Sequence, residues 1–170
     1  MTIWQILLFA FGYLIAFGVV IWFTRPTARR VLGTLAAGLA AGAFGMGAIA
    51  FFEARGLWHV PFAPTPFFRL FFYLGLAISL TPIYLVTWRL VRRFGWRGLA
   101  VFTSIVAVIG PPRDYFYAHL FPKWMVFAAG VAPVLADAAA YIGIVLLGHF
   151  VMTLIAGPAG VDALARQPRA

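Results

Sequence analysis

Apolar residues along the chain fall into five long runs, separated by short stretches where charge, proline and glycine collect. The runs cover residues 3–24, 31–52, 70–88, 94–110 and 133–155. Most are close to the ~20 residues that cross about 30 Å of hydrocarbon at 1.5 Å per residue. Open sheet edges would leave backbone groups unpaired in lipid, so the runs read as helices. The pattern predicts an all-α, polytopic membrane bundle of about five transmembrane helices. Residues 1–170 form a single domain, and residues 157–170 a short cytoplasmic tail.

The fourth run is the shortest. Residues 98–110 give only about 20 Å of helix, so a full crossing must begin near Phe94, with the Arg97 side chain reaching back to the headgroups. Pro111-Pro112 then reads as a break, because proline lacks the N–H that a helix interior needs. Residues 115–130 are aromatic and apolar with scattered charge. They predict an interfacial or re-entrant segment between the fourth and fifth helices, with Asp114 as the N-cap of a helix starting at Tyr115.

Composition agrees with the runs. The chain of 170 residues is 64% hydrophobic and 10% charged, with a mean hydropathy of +0.98, against about 45–50% apolar and about 25% charged in soluble domains. A formal charge of +9 invites a nucleic-acid reading. The basic residues are spread between apolar runs with no basic stripe on a soluble face, so nucleic acid is not a predicted partner. With no cysteine there is no disulfide, thiolate or zinc–sulfur chemistry. Twelve arginines against one lysine, with abundant Ala, Gly and Pro, suggest GC-rich coding and hence a bacterial cell (inner) membrane.

The charges also orient the bundle. Arg25, Arg29 and Arg30 follow the first run, Arg89, Arg92, Arg93 and Arg97 the third, and Arg166 and Arg169 the fifth. The intervening loops hold Arg55, Arg69, Arg113 and Lys123. Nine against four, alternating loop by loop, predicts an N-terminus outside and a C-terminus in the cytoplasm. Tryptophan favours the membrane interface, and all six lie at run ends: Trp4, Trp58 and Trp124 outside, Trp22, Trp88 and Trp96 inside. Reporter fusions after Arg30, Arg93 and Arg166 are therefore expected to read cytoplasm, and fusions near Trp58 and Tyr117 the other side. A cytoplasmic signal at Tyr117 would mean that the fourth run does not cross.

The second run is small-sided. Gly38 and Gly42 make a GxxxG, and Ala41 with Gly45 repeats the spacing. Helices in lipid associate through close packing, which small residues permit, so this helix is predicted at the centre of the bundle, with a homo-oligomer as the alternative. Phe9, Phe11, Phe17, Phe71, Phe72 and Tyr73 are expected to cover it and face lipid. Pro82 should kink the third helix, with Ser79 and Thr81 helping to satisfy freed carbonyls.

Polar residues gather at the outer ends: Glu53, Arg69, Arg113, Asp114, Tyr117, His119, Asp137 and Tyr141 form a candidate polar cluster or ligand-binding site. Asp137 is the sharpest, about one turn inside the fifth helix with Tyr141 on the same face. An intramembrane carboxylate is costly and needs a partner. Arg113 is the first choice and Arg69 the second. Glu53 sits at a helix's negative end and calls for a cation, Arg55 or Arg69. His149, 12 residues beyond Asp137, is about 18 Å along the helix and belongs to no common site.

No HExxH, phosphate loop or GxSxG elbow is present. No catalytic residue, cofactor or metal is predicted, although His59, His119, Asp114 and Glu53 could in principle converge. Three functions rank in order. First comes a structural or accessory subunit of a membrane assembly, whose partners are lipids and other subunits. Second is a lipid- or isoprenoid-binding protein or enzyme with an outer-leaflet pocket, in which Arg113 would anchor an anion. Third is a small proton- or ion-coupled transporter, a reading lowered by the absence of matched repeats.

Overall fold

A computed structural model of the protein describes residues 3–61, 66–121 and 125–159. The described residues form five helices: α1 (Ile3–Thr24), α2 (Ala28–Ala54), α3 (Pro66–Phe94), α4 (Trp96–Leu120) and α5 (Ala132–Ala156). Two short strands, β1 (Trp58–His59) and β2 (Val126–Phe127), pair antiparallel. The all-α bundle is the one the apolar pattern predicts. Helices α1, α2, α3 and α5 are long and apolar enough to cross a membrane.

Helix α4 is of similar length but carries Arg97, Arg113, Asp114 and His119. A single residue, Gly95 at φ 64°, links α3 to α4, a backbone region that favours glycine. The far end of α4 leads into β2, which pairs with β1 just beyond α2. Helix α4 therefore returns from the Gly95 end of the bundle to the end that carries both strands, here called the loop end.

Two sequence expectations are corrected here. Pro111-Pro112 does not break the chain, since α4 runs through both residues to Leu120. Asp114 is consequently inside a helix and caps nothing. Residues 115–120 extend α4, so the segment before α5 contains β2 rather than an interfacial helix among the described residues. The physical reason is tertiary: Gly110 and Pro111 are buried, and α4 packs along α5 there. That contact outweighs the ~3 kcal/mol that an interior proline costs.

Helix α2 lies at the centre, packed on both α3 and α5. A Cβ at Gly38 would lie 2.2 Å from Thr81 Oγ1, and one at Gly42 would lie 3.0 Å from Ala77 Cβ. Gly45 meets Leu76. The glycine surface is thus occupied within the chain by α3. Hydroxyl groups tie the same faces, with Thr34 donating to the Thr81 carbonyl and Tyr73 to the Leu39 carbonyl. On α5, Gly148 seats the Tyr84 ring, whose Oη donates to the Ile144 carbonyl at 3.0 Å. His149 Nδ1 lies 3.1 Å from Thr87 Oγ1 on α3, an ordinary interhelical bond.

The aromatic expectation holds only in part. Phe11 faces outward, but Phe17 and Phe72 are buried. Trp4, Trp22 and Trp96 are exposed at helix ends, whereas Trp58 and Trp88 are buried and donate to the Ile49 and Gly157 carbonyls. Helix α3 continues through Pro82, and the Ser79 and Thr81 hydroxyls bond the Leu76 and Ala77 carbonyls beside the Ile78 carbonyl that Pro82 leaves free. Trp124, Lys123, Arg166 and Arg169, together with residues 160–170 of the expected tail, lie outside the described residues.

Candidate functional site

The site is assembled where α4 and α5 touch at the loop end. Gly110 on α4 makes the contact possible, since a Cβ there would lie 2.3 Å from the Tyr141 ring of α5. One turn further along α4 come Arg113 and Asp114. Arg113 Nε and Nη2 donate to Asp114 Oδ1 at 3.0 and 2.8 Å. The Arg113 guanidinium also donates to Tyr141 Oη, and Tyr141 Oη donates to Asp114 Oδ2 at 2.7 Å. The three side chains close a ring in which cation and carboxylate neutralise each other.

Asp137 stands apart from that ring. It is on the buried face of α5 with Tyr141, as its spacing predicts, and only 8% exposed. It forms no ion pair with Arg113 among the described residues, which corrects the pairing expected from sequence. Asp114 is adjacent in the chain and takes the guanidinium instead. Asp137 Oδ2 has no hydrogen-bond partner. The same is true of two other buried atoms, Thr103 Oγ1 and Tyr115 Oη. A buried carboxylate without a partner is an expensive arrangement.

Beside these groups lies a cavity of about 380 Å³, which Asp137 and Tyr141 both line. A smaller one of about 100 Å³ adjoins it. Tyr13, Phe72, Leu76, Ser79, Arg113 and Asp114 line both, so the two are parts of one space. Its walls are otherwise largely apolar. Trp58 and Met125, beside the paired strands, border it at the loop end. Trp58 is held by its bond to the Ile49 carbonyl and by ring edges against Phe52 and Phe127. Phe127 in turn stacks on Tyr115 with centroids 4.0 Å apart.

The space opens sideways. Helix α1 packs chiefly on α3, and α4 on α5 and α3. Helices α1 and α4 meet through Phe9, whose ring edge contacts Tyr117 and Phe121. Phe9 therefore sits beside the gap and not on a lipid-facing surface as expected. Deeper in, Ile105 and Ile109 of α4 line the cavity and are also about half exposed, at 49% and 59%. A side chain can do both only at a mouth. The mouth lies between α1 and α4, where Ala16, Ile105 and Ile109 line the space and are exposed on the outside of the bundle.

Of the residues singled out in the sequence, Arg113, Asp114, Asp137 and Tyr141 line one cavity and Tyr117 lines its smaller extension. The others lie elsewhere. Glu53 accepts from the Val60 N–H at 3.0 Å and lies 2.9 Å from His59 Nδ1, so His59 takes the place expected for Arg55 or Arg69. Arg55 stacks over Phe51, while Arg69 and His119 are exposed. Among the described residues no three His, Asp or Glu side chains converge as metal ligands. Tyr13 and Trp58 are site residues that sequence reasoning missed. Tyr13 carried a usable signal, a hydroxyl midway along an almost wholly apolar helix. Comparison with protein-family models, curated proteins and solved structures finds no match to this chain.

Proposed function

We propose that this protein binds a single-chain amphiphile, a lipid or isoprenoid, which enters the cavity from the bilayer between α1 and α4. The carrying observation is the lateral mouth: an apolar-walled space of about 380 Å³ reaches the outer surface of the bundle at Ile105 and Ile109 and is bordered by charged groups at Arg113, Asp114 and Asp137. Ligand pockets commonly measure about 300–1,000 Å³, with apolar walls and a few polar groups that orient the occupant. In the bacterial cell membrane, with the orientation set by the basic loops, the site lies in the outer leaflet. The polar ring sits about 10 Å below the end of α4, since Arg113 is seven residues from Leu120.

The accessory-subunit reading accounts for the Arg113–Asp114–Tyr141 ring as a brace between α4 and α5. It gives no reason for a cavity beside the brace, nor for a buried carboxylate that braces nothing. The transporter reading needs a polar route from Asp137 toward His149. His149 is instead bonded to Thr87 and lines neither part of the cavity.

The test is native mass spectrometry of protein purified in mild detergent, on wild type and Ala16→Trp. Ala16 lines the cavity yet is exposed, so a large ring there should close the mouth without disturbing the core. A stoichiometric amphiphile on the wild type, mostly lost from Ala16→Trp at unchanged thermal stability, is the expected result. A wild type that retains no amphiphile, or one retained equally by Ala16→Trp, would remove this reading. A stoichiometric protein partner found in its place would return the accessory subunit.

A further inference from the structure

Resting on that reading, we infer that the head of the bound amphiphile donates an N–H or O–H hydrogen bond to Asp137 and carries no negative charge: an amine or an alcohol, not a phosphate. The cavity holds one cation and two carboxylates, Arg113 against Asp114 and Asp137. The cation is already engaged. Arg113 directs Nε and Nη2 at Asp114 and also donates to Tyr141, while Tyr141 closes the ring onto the second Asp114 oxygen. An anionic head would find the Arg113 charge already offset by Asp114 and would bring another negative charge beside two carboxylates in a largely apolar space. The charge of Arg113, the anion anchor suggested by sequence, is thus offset by its neighbour.

Asp137 is the group left over. The residue is more than nine-tenths buried, Oδ2 has no partner, and it lines the cavity. An ionised carboxylate can only accept, so what completes it must donate. Among the described residues, no other polar group around the space donates to it: Tyr13 on the cavity wall makes no such bond, and Tyr115 Oη, close enough to feel the Asp137 charge, is itself without a partner. Ser79 Oγ donates to the Leu76 carbonyl, and Tyr141 Oη to Asp114. Trp58 Nε1 donates to the Ile49 carbonyl. A head with an O–H or N–H at the inner end of a chain entering between α1 and α4 would meet Asp137 and leave the Arg113 ring intact.

The test uses three photoreactive probes with the same sixteen-carbon diazirine chain and different heads: hexadecylamine, hexadecanol and hexadecyl phosphate. Each is added at equal mole fraction to phosphatidylcholine nanodiscs holding the full chain, and labelled peptides are quantified by mass spectrometry. The amine and the alcohol should label residues around the cavity about ten- to a hundredfold more than the phosphate, the range expected for one hydrogen bond to a charged group. In Asp137→Asn the amine should lose that advantage while the alcohol keeps its labelling, since an amide still accepts. Phosphate labelling equal to or above the amine would overturn the inference and leave the amphiphile reading standing. No saturable labelling of the cavity by any head would overturn both. The comparison of heads on the wild type stands even where Asp137→Asn fails to fold.

Discussion

Gly38→Leu is expected to be among the costliest single substitutions in the helical core. A Cβ at position 38 already lies 2.2 Å from Thr81 Oγ1 and 2.8 Å from the Ala77 carbonyl. Neither contact can yield cheaply. Thr81 Oγ1 is held by its bond to the Ala77 carbonyl, and the Thr81 carbonyl accepts from Thr34. A leucine must therefore force α2 and α3 apart, breaking the Thr34 bond and uncovering fully buried Ala37 and Ala41. Overpacking alone costs about 1–3 kcal/mol, and a lost buried hydrogen bond adds about 1 kcal/mol. Gly42→Leu, whose Cβ would meet Ala77 at 3.0 Å, should follow closely. Gly47→Leu should be mild, because a Cβ there meets nothing within 4 Å. Unfolding by SDS titration in bicelles reads all three. Equal stability of the position 38 and position 47 variants would mean that α2 is not packed through this stripe.

That ordering shows which features of the fold the chain carries openly and which it hides. The five runs could be read from hydropathy because lipid imposes one requirement, internal pairing of every backbone group, on each of them. The central place of α2 could be read because glycines at four-residue spacing on one face have few other uses in a membrane. Pro111-Pro112 could not be read correctly. Proline's missing N–H is a local fact, but the packing that keeps α4 helical is supplied by Tyr141, thirty residues away in the chain. The pairing of Arg113 failed for a related reason. From sequence Arg113 is matched to Asp137 and Asp114 is read as a helix cap, yet on the continuous helix the long Arg113 side chain curls back onto Asp114, and Tyr141 bonds both. The cavity itself has no sequence signature. It exists because α1 leans on α3, not on α4, and no residue type announces a gap.

The second large effect separates the ring from the orphan carboxylate. Arg113→Gln leaves Asp114 bonded to Tyr141 alone, and Asp114→Asn leaves a guanidinium with Tyr141 and an amide. Breaking a fully buried pair costs about 3–5 kcal/mol, but the Arg113 side chain is 46% exposed and that of Asp114 22%. About 2 kcal/mol for each single variant is the expected loss, near the value of a hydrogen bond to a charged group. The double variant should recover part of it, giving a coupling of about 1–2 kcal/mol in the thermodynamic cycle. Arg113 and Asp137 share a cavity but no bond, so their cycle should show only a Coulombic coupling, weaker than that of Arg113 with Asp114. Asp137→Asn should therefore change stability little and remove the advantage of an amine head, while Arg113→Gln lowers stability and leaves the choice of head little changed until the α4–α5 contact fails. The contrast has a structural cause: the Arg113–Asp114–Tyr141 ring satisfies itself, and Asp137 is the carboxylate of the cavity left without a hydrogen-bond partner. Stronger coupling of Arg113 to Asp137 than to Asp114 would replace the ring with an ion pair across the cavity. It would also leave no unpartnered acceptor to receive a head group.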